Sequence, residues 1–562
     1  GTITFNNGSD AGSIYLAAST PLTINSKGGA IDIASVYGVA TGDNNLTINA
    51  NTAGGATDSD GNTTETIKIG AIGDADEISA VTLDGVDGIT LAGNITLADD
   101  AGADLDINGK VFIDGNVTIT TDNTTDDGTI NFSSTIDGVT QSGTDIADNL
   151  RILAGDSSGA QGGALTITGT IGGSKALTTL KINDGAGNGD IAFTIPQVGN
   201  GSGGQGVTGA VDLGNTGSGD ITFSGASTGA FDIGGKLTVT SDGGADAFQF
   251  SGNNPTITAD GGIEFVSNDG DDGITLTDEK DLILTANAAD ITVTSVVGVA
   301  NATGEDFTIS ITQTGATGGT ATVGAISTDI NDVVITAPTI KLKGNITTEL
   351  DPDGTNADDA ASIDFNGDVV IDATTVTLTS GNGTIDFANN VDSTASADNN
   401  LTIVSGSGTA TFNGAIGTGT NGEIGTLTVN TGTDSGDITF NSNADIGTTS
   451  AAGAARILIG NGATGTLAID GSFYTSSGGD GSNAAQIYTA NAFTMSGTDP
   501  DFHSKGAAAG ISFVDGATSD IVLADASDLT IQTNNGLIDI EPQIKGTDGG
   551  GGDTTNTTVT LD

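Results

Sequence analysis

Residues 1–40 read GTITFNNGSDAGSIYLAASTPLTINSKGGAIDIASVYGVA, and residues 261–300 read GGIEFVSNDGDDGITLTDEKDLILTANAADITVTSVVGVA. The two align without a gap, 260 positions apart, pairing Ile3 with Ile263, Phe5 with Phe265, Leu22 with Leu282 and Ile31 with Ile291. A third copy begins at Gly510 in GISFVDGATSDIVLADASDLTIQTNNGLIDI, where Phe513 falls under Phe265 and Leu529 under Leu282. Self-similarity at a fixed period is the signature of repeat architecture. The chain therefore divides into a module at 1–260, a second at 261–509 and part of a third at 510–562.

Inside each copy the apolar residues alternate with polar ones at period two, as in LTIN (22–25), GITL (88–91), LTVT (237–240) and VTLT (376–379). Val, Ile and Thr in that alternation suit a pleated, half-buried strand. Gly, Asn, Asp and Ser clusters between the packets supply turns. The middles of the modules correspond too: LDINGKVFIDGNVTIT from Leu105 with IDFNGDVVIDATTVTLT from Ile363, and Asn149-Leu150 with Asn400-Leu401. A smaller unit recurs within them, N-L-x-I followed by G-A-I-G (Gly70–Gly73, Gly414–Gly417) and two strands. The final GGDTTNTTVTLD continues the pattern that DNNLTINA starts at Asp43.

A single rung of short strands can neither bury its inner face nor satisfy its backbone, whereas stacked rungs do both. The expected fold is all-β, a right-handed parallel β-helix (β-solenoid) of tandem modules of about 250 residues. With roughly 20–25 residues per rung it has on the order of 25 rungs and a length of about 120 Å. The alternative is a string of Greek-key β-sandwich domains.

Composition narrows function. The 562 residues hold 90 Gly, 71 Asp plus Glu, 13 Lys plus Arg, one His, one Met and neither Cys nor Trp, for a formal net charge of −58. Phosphate contact requires clustered Lys and Arg, so nucleic acid is excluded as a partner, and anionic membrane surfaces with it. No apolar run approaches the ~20 residues that span a bilayer, so membrane insertion is not expected. The chain starts at Gly1 rather than Met, which suggests a matured protein or a segment of a longer one.

The recurring x-[ILV]-T-[ILVF] strands, with their LTI, GAIG, LTV and GDITF blocks, resemble the repeat region of filamentous-haemagglutinin-like exoproteins and of very large bacterial surface proteins built from such strands. That resemblance covers the whole chain in period and composition and carries no catalytic motif. It implies a secreted or cell-surface structural protein: a rod, stalk or filament subunit of an adhesin or fibre. The partners expected are neighbouring repeats or copies stacked end to end, and host or matrix glycans. The alternative function is a carbohydrate-binding or carbohydrate-cleaving β-helix.

Candidate sites are few. Alternating oxygen ligands around a Gly turn suit Ca²⁺, which singles out Asp58 and Asp60 in DSDGNTTE and Asp351, Asp353, Asn356, Asp358 and Asp359 in DPDGTNADD. Solvated turns account for the same residues. Ca²⁺ is the one cofactor suggested. N-x-[ST] sequons such as Asn94, Asn116, Asn345 and Asn400 arise readily in so Asn- and Thr-rich a chain, and TxT triplets do not recur at rung spacing as an ice-binding ladder requires. Enzymatic activity is not expected: Arg151 and Arg456 lack counterparts in the other module, and His503, in DFHSKGAAAG, reads as a surface residue of a turn region.

Overall fold

The computed structural model describes residues 3–5, 13–17, 20–26, 29–38, 44–50, 67–73, 78–85, 87–98, 103–121, 128–139, 147–154, 165–184, 193–199, 206–215, 221–223, 230–241, 248–250, 256–267, 273–276, 281–298, 307–315, 318–327, 329–349, 361–394, 399–419, 422–448, 453–461, 463–475, 484–497, 499–505, 509–516, 520–524, 527–546 and 558–562. They form β-strands and turns with no helix among them. The chain makes two compact units, Gly1–Thr294 and Ser295–Asp562.

Each unit is a stack of rungs in which a short strand pairs, in parallel, with the strand one turn later. In the first unit one ladder runs Ile3, Ile31, Ile67, Ile89, Val111, Ile136, Ile171, Val198, Phe231, Ile257, Leu284. A second runs Ile14, Val36, Ile72, Ile95, Ile119, Ile152, Ile182, Leu213, Val239, Phe265, Val293. A third passes through Ile24, Ile48, Leu83, Ile107 and Phe132 and later through Phe223, Phe250 and Leu276. The second unit has three ladders of the same kind, such as Ile363, Ile385, Ala410, Ile438, Leu467, Phe493, Ile521 and Ile544. The protein is a parallel β-solenoid. A Greek-key sandwich needs antiparallel neighbours, and every described register is parallel, which removes that alternative.

Alternation in the sequence becomes alternation in burial: Leu237–Ser241 and Phe307–Gln313 bury every second side chain. Inward Ile, Leu and Val are almost all fully buried. Aromatic side chains stack rung on rung: in the second unit Phe365, Phe387, Phe412 and Phe440 follow one another at centroid separations of 5.2, 5.0 and 4.7 Å, and in the first Phe223 lies on Phe250 at 4.8 Å. Identical residues recur in adjacent rungs because parallel, in-register stacking places like on like.

Rungs advance by 22 residues between Ser13 and Ser35 and by 33 between Asn116 and Asn149. Many are thus longer than the 20–25 residues expected, and the turns correspondingly fewer. The repeat also rotates. Phe5 lies on the ladder of Ile31 and Ile67, whereas its counterpart Phe265 lies on that of Val36 and Ile72. The 260-residue period does not amount to a whole number of turns, so the same sequence reappears on a different face.

Candidate functional site

The outer surface is built largely from devices that tie one rung to the next. At the corners an Asn or Asp side-chain oxygen accepts the backbone N–H that opens the following rung. Thr118 donates to Asn94 at 3.0 Å, Thr129 to Asp104 at 2.9 Å, Thr377 to Asn345 at 2.8 Å, Thr466 to Asp437 at 2.7 Å and Thr558 to Asp528 at 2.7 Å. Asn and Asp are interchangeable here because both present an sp² oxygen two bonds from Cβ. Each such bond contributes about 0.5–1.5 kcal/mol, and about 1.5–3 when the acceptor is charged. Asn94 and Asn345, read as sequons in the sequence, serve as these clamps.

A second kind of clamp, which accepts from the preceding rung, has twins across the modules. Asn183 and Asn430 are fully buried with left-handed backbones (φ 50° and 48°), and their Oδ1 atoms accept from the N–H of Ala154 and Ser405, both at 2.8 Å. Their own carbonyls accept from Asn215 Nδ2 at 2.6 Å and Asn461 Nδ2 at 2.5 Å. Asn is one of the few residues that tolerates φ > 0 while offering a side-chain acceptor.

Basic side chains are drawn into the same rung-to-rung work. Lys68 meets Asp114 at 3.3 Å; Arg151 and Lys181 share Asp184 at 2.7 and 3.1 Å, and Lys181 also reaches Asp212 at 2.9 Å. Burial alone would raise the Asp184 carboxyl, but the hydrogen bonds from Arg151 and Lys181 outweigh it and hold it below the ordinary 3.8. These pairs are partly exposed, and such pairs contribute about 0–1 kcal/mol each.

Other carboxylates are pushed the opposite way. Asp364 is raised by burial first and then by Asp386 and Asp332; Asp386, its partner in the next rung, is raised by burial, and so is Asp392. A group whose folded-state pKa lies above its unfolded value binds its proton more readily when folded, so its cost at neutral pH is relieved as pH falls toward that raised value. Asp184 works in the reverse sense, losing its contribution only as pH drops below 3.8. The melting temperature is therefore expected to rise as the pH is lowered toward 3.8 and to fall at pH values below that. Asp364→Asn with Asp386→Asn should flatten the rise. A melting temperature that declines steadily as the pH is lowered toward 3.8 would contradict this.

The Ca²⁺ candidates Asp58, Asp60, Asp351, Asp353, Asn356, Asp358 and Asp359 all lie outside the described residues. Among the described residues no group of three or more His, Asp or Glu side chains is gathered to hold a metal ion.

In the second unit Ser442, Asp445, Asp470, Ser472, Gly497, Asp499 and Pro500 enclose a groove of about 290 Å³. Asp445 already accepts from the Ser472 N–H at 2.7 Å, and Asp499 from the Asp528 N–H at 2.9 Å. Ser472 continues to Asp501, whose carboxylate stands 3.5 Å from the Tyr474 hydroxyl and 3.9 Å from His503 Nε2. His503 is not the surface residue of a turn that its Gly/Ala-rich neighbourhood suggests. It occupies the strand Asp501–Ser504 in register with Tyr474, their rings 5.1 Å apart, with 21% of its side chain exposed and Nε2 buried without a hydrogen bond. Burial lowers its pKa. The alternation of Phe502 and Ser504 inward, with His503 between them, is the sequence signal that places it in a strand.

The Tyr474, Asp501 and His503 separations are longer than the approximately 2.6–3.2 Å over which proton transfer is catalysed. The groove can offer carboxylate and hydroxyl acceptors to a hydroxyl-bearing ligand.

A last feature is the distribution of exposed apolar side chains. Among the described residues the large ones are Phe5 (42% exposed), Tyr15 (69%), Leu537 (71%), Val559 (38%) and Leu561 (55%). The first two belong to the opening rung of the first unit, the others to the closing rung of the second.

Fold and surface together define a β-solenoid repeat protein. No family model, curated protein or solved structure matches the chain.

Proposed function

We propose that this chain is an extracellular structural protein, the rod, stalk or filament material of a cell-surface adhesin or fibre. The observation that supports it is which features are repeated from module to module. Asn183 and Asn430 recur as the same clamp, and Gly172 and Gly417 as the same corner, with φ 67° and 66° and the following rung's carbonyl 1.9 Å from where a Cβ would sit. The repeated side chains hold rungs together. The groove lined by Asp445, Asp470 and Asp499 lies in the second unit.

A second reading, a carbohydrate-binding or carbohydrate-cleaving protein, is favoured by that groove and its hydroxyl-compatible lining. Incubation with acidic and neutral polysaccharides separates the two. The structural reading expects polysaccharides of unchanged chain length, and antibody labelling of intact cells. Depolymerisation that Asp470→Ala abolishes would overturn it in favour of the second.

A further inference from the structure

We propose that the peptide bond between Asp499 and Pro500 is a self-cleavage site, broken by the Asp499 side chain itself, and that the scission nicks the second unit without dispersing it. The sequence holds two Asp-Pro pairs, at 351–352 and 499–500, and only the second lies within the described residues. Asp499 has φ 66°, and among the described residues other than Gly it is the only one in the left-handed region that precedes a proline. Two rules oppose that conformation at once. A left-handed backbone crowds Cβ against the following carbonyl oxygen, and the ring of a following proline pushes its neighbour toward extended backbone. Strain of this kind persists where the surroundings hold it. Here the next rung does so: Asp499 Oδ1 accepts from the Asp528 N–H at 2.9 Å, and the Pro500 carbonyl accepts from the Thr530 N–H at 3.1 Å.

The strained carbonyl belongs to the residue that carries the nucleophile. An Asp carboxyl can close a five-membered ring onto its own carbonyl carbon, and well-oriented intramolecular reactions of this kind reach effective molarities of about 10⁵–10⁸ M. Carboxylates are established covalent nucleophiles. The Pro500 nitrogen is that of a tertiary amide, more basic than an ordinary peptide nitrogen, and so departs more readily once it receives a proton. Asp499 is exposed, and with Pro500 it lines the groove of about 290 Å³, which admits water to the bond. The charged groups facing Asp499 are Asp445 and Asp470 across the groove, Asp528 on the next rung and Asp501 two residues on. No Lys or Arg lines the groove to hold the Asp499 carboxyl ionised.

In the step itself a carboxyl oxygen of Asp499 bonds to the Asp499 carbonyl carbon, the carboxyl proton passes to the Pro500 nitrogen, and the carbon–nitrogen bond breaks. A cyclic anhydride remains on Asp499 and a secondary amine on Pro500. Water then opens the anhydride to the side-chain and terminal carboxyls, so the net reaction consumes water and needs neither oxidant nor reductant. Because the attacking carboxyl supplies the proton, the rate rises as pH falls. Both sides of the break remain in the ladders. Phe493–Met495 lies between Leu467–Ile469 and Ile521–Leu523, and Phe502–Ser504 between Phe473–Thr475 and Ile531–Thr533, so the pieces stay stacked.

The test incubates the full chain at neutral pH and at about pH 4, near the ordinary aspartic range, with circular dichroism confirming that it is folded. Denaturing gels and intact-mass measurement should show pieces 1–499 and 500–562 accumulating faster at the acidic pH, while sedimentation of the undenatured sample stays unchanged. The folded chain should break at this bond about tenfold faster than the chain unfolded in urea at the same pH, a barrier difference of about 1.4 kcal/mol. Asp499→Asn tolerates the left-handed backbone and keeps the acceptor for the Asp528 N–H, so it should fold and remain whole. An intact bond at acidic pH, an unfolded chain that breaks as fast as the folded one, pieces that separate without denaturant, or an Asp499→Asn variant that breaks like the unaltered chain would each overturn the proposal. The structural reading stands apart from these outcomes, since polysaccharide depolymerisation tests it separately.

Discussion

Replacing Phe412 with Ala is expected to cost about 3–5 kcal/mol, the range for deleting a fully buried aromatic ring. Phe412 is 0% exposed and lies between Phe387 at 5.0 Å and Phe440 at 4.7 Å, with interplanar angles of 2° and 3°. The loss has two parts. The ring's apolar area returns to a cavity that Ile385 and Ile438 on the neighbouring rungs cannot fill, because their backbones are fixed by the ladder. The two stacked contacts, about 0.5–1.5 kcal/mol each beyond area burial, vanish with it. Because each rung contacts chiefly its neighbours, the damage is local. Hydrogen exchange should lose protection first in strands Asn382–Phe387, Ala410–Phe412 and Ile438–Phe440, with distant rungs unaffected. Phe412→Leu, which keeps most of the volume, should recover most of the loss. A cost below about 1 kcal/mol in urea denaturation would mean that the aromatic column does not hold these rungs.

Gly417→Ala is the second large effect. The residue has φ 66°, a left-handed conformation that costs a side-chain-bearing residue about 1–2 kcal/mol. The added Cβ would also stand 1.9 Å from the Gly453 carbonyl oxygen, backbone of the next rung, so that rung must move, at a further cost of about 1–3 kcal/mol. Gly432→Ala is the control: its nearest neighbour would be the Asp434 carboxylate at 3.7 Å, ordinary contact. Thermal melts should show a large drop for the first and little change for the second, and equal effects would refute the rung-contact explanation.

This pair also explains the G-A-I-G motif. Its first Gly packs on the backbone of the rung below, where a Cβ at Gly414 would lie 2.3 Å from the Asn389 carbonyl carbon. Ile416 bridges to Ile446 on the ladder, and Gly417 turns the corner. The motif is legible in the sequence as a repeat, while its cause lies in the adjacent rungs, at Asn389, 25 residues before Gly414, and at Gly453, 36 residues after Gly417.

The same division runs through the rest of the molecule. Strands are legible because each is set by its own alternation, as in Leu237–Ser241, and the stack is legible because Phe5 and Phe265 repeat. Which face a strand joins is not, since that depends on the length of every intervening corner; Phe5 and Phe265 accordingly lie on different ladders. His503 escaped because its Gly/Ala-rich neighbours outweighed the two-residue alternation around it. The acidic composition proved partly misleading: Asp104, Asp437, Asp445 and Asp528 are acceptors for the next rung's backbone as well as surface charge. The sequence's Ca²⁺ candidates, by contrast, all sit outside the described residues, so the structure does not add to what their spacing suggests.

The central claim is that strands pair in parallel, each residue with one a full turn later in the chain, and not antiparallel across a hairpin. The chain has no Cys, which permits a direct test with introduced pairs. Thr402 is in register with Thr428, one turn on, and Thr411 lies in the next strand along the chain. In-register strands about 4.8 Å apart fall within the roughly 4.4–6.8 Å Cα separation of a disulfide. Thr402→Cys with Thr428→Cys is expected to cross-link on mild oxidation, and Thr402→Cys with Thr411→Cys to remain reduced. The opposite result, a bond between 402 and 411 and none between 402 and 428, would be that of an antiparallel hairpin and would contradict the solenoid.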